Sequence, residues 1–249
     1  MEYGLCNLSI VPVRLEASNT SEMVTQLLYG DNFKVLEQHK SWIRILIAFD
    51  NYEGWIDSKQ HIEISAEAYH SLEAEPPKLS SDIMEFVYNE HDELIAIPLG
   101  ANLNALPFLK HKHDGNFQQE LLPKNNLVLT ALLYLNSPYL WGGKTPFGID
   151  CSGFTQMVYK LNGFKLLRDA KQQATQGESL SFIEESEPGD LAFFDNEEGA
   201  IVHVGIIMED NYIIHAHGKV RIDRLDHTGI FNLDTKKHSH KLRVIKKII

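Results

Sequence analysis

The chain has 249 residues, 43% of them hydrophobic, enough for about two or three globular domains. Its 23 basic against 34 acidic residues leave a net charge of −11. That argues against nucleic acid or an anionic membrane as a partner, because neutralising phosphates needs clustered Lys and Arg. No apolar run approaches the roughly eighteen residues that cross a bilayer. The start, Met1 to Leu8, lacks the basic region and apolar core of a secretory signal, so a cytoplasmic location is expected, or a periplasmic or cell-envelope one if a leader has been removed. Only two cysteines occur, Cys6 and Cys151, and both are expected as free thiols.

Residues 8–65 read as short, closely spaced strands: Val24 to Leu28, Phe33 to Glu37, Trp42 to Ala48 and Gly54 to Ile56, the pattern of a small barrel with Trp42 and Trp55 turned inward. The stretch from Ser65 to Lys78 is polar, without a period, and ends in Pro76-Pro77, which predicts a linker. Strands recur at Phe86 to Tyr88, Leu94 to Pro98 and Ala105 to Leu109, suggesting a second, diverged barrel. His111-Lys112-His113-Asp114 reads as a solvated hairpin and not as a metal site, since no further ligands stand at a recognised spacing.

From Asn125 the texture changes. Leu127 to Leu135 is apolar on nearly every face and predicts a buried helix. Gly142, Gly143, Pro146 and Gly148 then punctuate the approach to Asp150-Cys151-Ser152-Gly153-Phe154. Beyond them Phe154, Met157, Val158 and Leu161 recur at helical spacing, with Asn162-Gly163 as the stop. Cys151 therefore sits in a first turn, where unpaired N–H groups and the helix dipole favour a thiolate and lower the sulfur pKa.

Further on, Ala200 to Met208 alternates with a period of two, and Glu209-Asp210-Asn211 turns the chain back through Tyr212 to His215. A three-residue turn pairs Met208 with Tyr212 and Gly205 with His215, which places His203 and His215 on one face as diagonal neighbours. Nucleophile, base and orienter are then all present, the logic of a catalytic triad in its cysteine form.

Together Tyr139-x-Trp141-Gly142-Gly143, Asp150-Cys151-Ser152-Gly153-Phe154, Pro188-Gly189-Asp190-Leu191, His203-Val204-Gly205-Ile206 and His215-Ala216 resemble the NlpC-type cysteine peptidases of bacterial cell-wall metabolism. The Gly30 to Glu37, Trp42 to Ile45 and Tyr52 to Ile56 runs resemble the bacterial SH3-like domain found in a subgroup of γ-D-glutamyl-L-diamino acid endopeptidases. The resemblance implies an α+β fold, a papain-like catalytic domain at 124–249 preceded by two small SH3-like β-barrels at 1–66 and 79–123, with a linker at 67–78.

It also implies Cys151 as nucleophile, His203 as general base and His215 as polar third member, with Tyr139 on the oxyanion, Asp150 and Ser152 lining the substrate side, and no cofactor or metal. Glu22, within Ser21 to Gln26, matches the subgroup glutamate that receives the substrate's amine, and Tyr52 resembles the subgroup's barrel tyrosine, a substrate-facing position. Ala170 stands where a serine is common. The implied substrate is a murein peptide, L-Ala-γ-D-Glu-diamino acid, with a free amino terminus. An inactive murein-binding module and a cysteine acyltransferase are the alternative readings.

Overall fold

The computed structural model describes residues 2–249. The chain divides into two compact units: one runs to Glu120 and takes in Trp141–Thr145, and the other comprises Leu121–Leu140 and Pro146–Ile249.

The first unit is built on a seven-stranded antiparallel sheet in the order Met23–Leu28, Ile10–Arg14, Glu53–Asp57, Trp42–Ile47, Asn32–His39, Glu2–Leu5, Ile62–Ile64. Alternation along Trp42–Ile47 turns Ile43, Ile45 and Ile47 into the core beside Val11, Val13, Leu27, Phe33 and Ile56. Trp42 and Trp55 fall on the opposite phase and are only half-buried, so the expectation that they fill the core is corrected: β-branched residues take the inner positions and leave the bulkier rings outside.

The expected linker is also corrected. Ser65 caps a helix, Ala66–Ala74, by accepting a hydrogen bond from the Ala68 N–H at 3.2 Å. Tyr69 and Leu72, three residues apart, supply its buried face, with Leu72 packed among Leu5, Ala105, Ile62, Ile64 and Leu109. Two apolar residues in a polar stretch give too weak a period to be read from sequence.

Residues 79–118 contain strands, but these pair as two separate two-stranded ladders, Met84–Tyr88 with Leu94–Pro98 and Leu79–Ser80 with Phe117–Gln118, and do not close into a barrel of their own. Their apolar residues Val87, Ile97, Ala101 and Leu103 instead share a core with Tyr29, in the turn that follows the strand Met23–Leu28. The strand expected at Ala105 to Leu109 is a 3₁₀ turn, Leu103–Ala105, followed by a helical turn, Leu106–Leu109. Asn102 caps the first, and Pro107, which has no N–H for a ladder, sits at the start of the second. His113 is not solvated either: it is buried against Glu85, while His111 Nδ1 lies 3.0 Å from the Tyr29 hydroxyl.

The second unit centres on another seven-stranded sheet, ordered Glu178–Leu180, Lys237–Lys247, Leu191–Asp195, Ile201–Ile207, Tyr212–His217, Lys219–Leu225, Gly229–Asn232. Lys237–Lys247 also pairs with Gly229–Asn232, so the ladder closes on itself. The helix Cys151–Leu161 packs on Ile201–Ile207 and is buried along its whole length. Beside it the helix Asn126–Leu132 buries Leu127, Thr130 and Ala131 but exposes Leu129, which corrects the expectation of a helix buried all round. Among the described residues no helix is long and apolar enough to cross a membrane.

Leu72→Ala is expected to destabilise the protein by about 2–4 kcal/mol, the usual cost of emptying a buried leucine site. Denaturant unfolding checks this, and a midpoint unchanged from wild type would return the segment to a linker.

Candidate active site

Asp150 is the N-cap of the nucleophile helix: its Oδ1 accepts from the Gly153 N–H at 2.6 Å. Arg168, almost wholly buried, grips the same carboxylate through Nη2 to Oδ2 at 2.7 Å and Nη1 to Oδ1 at 3.0 Å, and donates to the Ser152 hydroxyl at 3.0 Å. Gln173 donates to the carbonyls of Ser152 and Leu167 at 2.9 Å and accepts from Thr155 at 2.7 Å, tying the helical turn Ala170–Gln173 to the nucleophile helix. Asp150 and Ser152, expected to line the substrate side, thus hold the helix start in place. Ala170 is buried as the first residue of its turn.

Cys151 is 7% exposed, and the backbone N–H groups of Val204 and Ser152 hydrogen-bond to its sulfur. The expected lowering of its pKa is corrected. Burial first, and then the neighbouring Asp150 carboxylate, push the thiol up to about 12 against the opposing pull of those N–H groups and Arg168.

The histidine hairpin has the predicted register, with Gly205 opposite His215 and the Met208 N–H bonded to the Tyr212 carbonyl at 2.8 Å. A Cβ at Gly205 would lie 2.9 Å from that of His215 and 2.8 Å from Ile213, so only glycine lets His215 pack there. His203 Nε2 lies 2.8 Å from His215 Nδ1. The line continues through a residue the sequence reading missed: His215 Nε2 lies 3.0 Å from Asp223 Oδ2. Asp223 also accepts from Arg221 Nε at 2.6 Å, Arg221 Nη2 at 2.9 Å and the Leu233 N–H at 2.8 Å. Burial works to raise its pKa, but the bonds from His215, Arg221 and Leu233 outweigh it and hold the carboxyl below the usual range, ionised.

An ionised carboxylate only accepts. Asp223 therefore takes the His215 Nε2–H, which makes His215 Nδ1 an acceptor and puts a proton on His203 Nε2. His203 Nδ1 is left as the basic nitrogen, on the residue next to the Val204 amide that holds the sulfur. Burial, then the neighbouring imidazoles of His215, His240 and His217, lower the His203 pKa well below the ordinary histidine value, and burial lowers that of His215. The base is neutral at neutral pH.

Tyr139 is held beside the nucleophile turn: its N–H donates to the Gly218 carbonyl at 3.0 Å, and it bridges to Ile149 in parallel register. Burial, then the nearby Cys151 and Asp150, raise the pKa of its phenol, which stays a proton donor. His240, also missed, stacks on His203 with ring centres 4.1 Å apart.

These six expected residues lie in the second unit and belong to one site. Glu22 and Tyr52 lie in the first unit. There Glu22 is exposed and its Oε1 accepts from Trp141 Nε1 at 2.6 Å, while Tyr52 packs half-buried against the barrel core.

The NlpC/P60 family profile matches residues 136–237, the span that carries this constellation. The chain carries an NlpC/P60 domain. A bacterial dipeptidyl-peptidase SH3 domain profile matches residues 13–60. Over 228 residues the chain is 27% identical to a γ-D-glutamyl-L-lysine dipeptidyl-peptidase of Bacillus subtilis, covering 82% of this chain and 75% of that one. It is 29% identical over 242 residues to dipeptidyl-peptidase 6 of Lysinibacillus sphaericus, covering 83% and 85%. The crystal structure of an NlpC/P60 family protein from Bacillus cereus shares the fold, with a TM-score of 0.78 at 19% identity and 99% of each chain covered. The NlpC/P60 match and the names of these relatives agree with the expectation of a cysteine peptidase.

Three outcomes follow from this geometry. Asp223→Asn should lower kcat by about 10²–10⁴-fold with little change in KM, because an amide no longer dictates the His215 tautomer. Because the His203 pKa is lowered, the acid limb of kcat/KM should fall below pH 6.5: the base is lost only when pH drops through that depressed value. A limb above pH 7 would contradict the assignment. Cys151, 7% exposed, should alkylate faster than the fully buried Cys6, and His203→Ala should narrow that difference by removing the base that takes the thiol proton.

Proposed function

We propose that the chain hydrolyses the γ-D-glutamyl–diamino acid bond of murein peptides whose L-Ala amine is free, in the recycling of cell-wall peptides. The observation that carries the chemistry is the continuous line from Asp223 through His215 to His203, whose next residue, Val204, bonds through its backbone to the Cys151 sulfur. The names of its relatives and the accompanying SH3 domain support the substrate class.

In the first step Cys151 Sγ attacks the γ-carbonyl of D-Glu as its proton passes to His203 Nδ1. The resulting imidazolium is stabilised through His215 by the Asp223 charge. The oxyanion is held by the Cys151 backbone N–H at the helix start and by the Tyr139 hydroxyl. His203 returns the proton to the leaving amine; water then attacks the thioester, gives its proton to His203, and His203 passes that proton to the departing Cys151 sulfur as the acid is released. A binding module would have no use for this aligned relay.

Glu22 is proposed to receive the substrate's ammonium, a charge-assisted contact that an acetylated amine cannot make. Free and N-acetylated L-Ala-γ-D-Glu-L-Lys and their diaminopimelate counterparts, incubated with the protein and followed by mass spectrometry, should release free diamino acid from the unblocked peptides. Cys151→Ala should release none, and Glu22→Gln should narrow the preference for the free amine by at least about tenfold. Binding without release would favour a murein-binding module. Equal cleavage of free and acetylated peptides would remove the amine requirement.

A further inference from the structure

The proton relay gives His240 no task, yet its ring is held against the base. The His203 and His240 imidazoles lie face to face, with centres 4.1 Å apart and planes 23° apart. Phe194 packs tilted against His203 at 5.7 Å and edge-on with His240 at 6.0 Å, and His217 stands across the His240 ring at 4.8 Å.

The strand Lys237–Lys247 is irregular where it delivers this ring. Ile230 pairs with His240 but Phe231 pairs with His238, so Ser239 is an extra residue, a bulge of the kind that re-aims a side chain beside a site. The Ser239 hydroxyl lies 2.8 Å from His240 Nδ1. On the facing strand Gly229, at φ +144°, lets the chains approach so closely that a Cβ there would lie 1.8 Å from the His240 carbonyl oxygen. His238 and Ser239 are exposed, and His240 is half-buried.

We propose that His240 is a positioning residue for the general base: its face keeps the His203 imidazole in the plane from which Nδ1 takes the Cys151 proton, and lies over that imidazole once it is a cation. His215 Nδ1 pins His203 at Nε2, 2.8 Å away. Two fixed points, Cβ and Nε2, leave the ring free to rock about the line between them, and Nδ1 lies off that line. A nearly parallel ring in contact blocks the rocking toward it. When the proton arrives, a neutral aromatic face over the imidazolium attracts it. Burial first, then His215 and His217, lower the His240 pKa to about 4 against the opposing pull of Asp223, so that ring is neutral at neutral pH. The effect on murein peptides rests on the peptidase reading above; the effect on the thiol does not.

Two assays on the full chain separate these. In the first, iodoacetamide alkylates Cys151, with no peptide present. His240→Leu keeps bulk without a flat face and should slow Cys151 at least about tenfold, the scale of a misplaced reacting group. His240→Phe, which restores the face without the nitrogens, should recover most of the rate. In a His203→Ala background His240→Leu should change nothing, because His240 acts through the base. In the second assay, on L-Ala-γ-D-Glu-L-Lys, His240→Leu should lower kcat by a similar factor with KM unchanged, and His240→Phe should recover it. Should His240→Leu not fold, His240→Gln carries the same comparison. A non-aromatic variant matching wild type, His240→Phe no faster than His240→Leu, an equal slowing in the His203→Ala background, or a loss confined to KM would each overturn the inference. The expected alkylation pattern without peptide cleavage would support the positioning and count against the proposed substrate alone.

Discussion

The orientation of the candidate site depends on the burial of one charge. Asp223 is fully buried, and a carboxylate in that position survives ionised only if its acceptor sites are filled. Arg221 supplies two donors, the Leu233 backbone a third and His215 the fourth, and Arg221 is itself held by Asp234 at 2.8 Å. The demand for donors travels outward: because Asp223 must be given a proton by His215, His215 must accept one from His203, and His203 must present a bare nitrogen on its other side. A tautomer that would be free in solution is set by a group two hydrogen bonds away.

The same burial that fixes the base withholds charge from the nucleophile. A cysteine at a helix start is usually expected to ionise easily, and the Val204 and Ser152 amides and Arg168 do act in that sense. They lose to desolvation because a thiolate needs more solvation than two amides give. The resting pair is neutral, thiol and imidazole. Ion separation then coincides with attack, when the developing charges are met by donors already in position.

Much of this was legible in the sequence wherever local periodicity carries long-range information. The period-two run from Ala200 and its three-residue turn fixed the face and register of His203 and His215, and the glycine-punctuated approach located the nucleophile helix. Asp223 was not legible because its place depends on a further hairpin: Gly218, at φ +72°, turns the chain so that Arg221 pairs with His215 and Asp223 falls on the same face one pleat further along. The alternation of Arg221 and Asp223 with the apolar Val220 and Ile222 was the available signal. Arg168 and His240 carried none, since each reaches its partner from a separate segment. Trp42, Trp55 and the helix at Ala66–Ala74 were misread for a different reason: composition indicates what can be buried, while packing decides which candidate is.

Two carboxylate–arginine pairs, Asp150 with Arg168 and Asp223 with Arg221, thus flank the reacting groups, one anchoring the nucleophile helix and the other the histidine line. On the sulfur the first pair does not cancel: Asp150 raises the thiol pKa more than Arg168 lowers it. Paired charge of this kind can orient without ionising. It holds the helix start through the Gly153 cap and the base through the His215 tautomer, and leaves the thiol proton in place until a carbonyl carbon is close enough to be attacked.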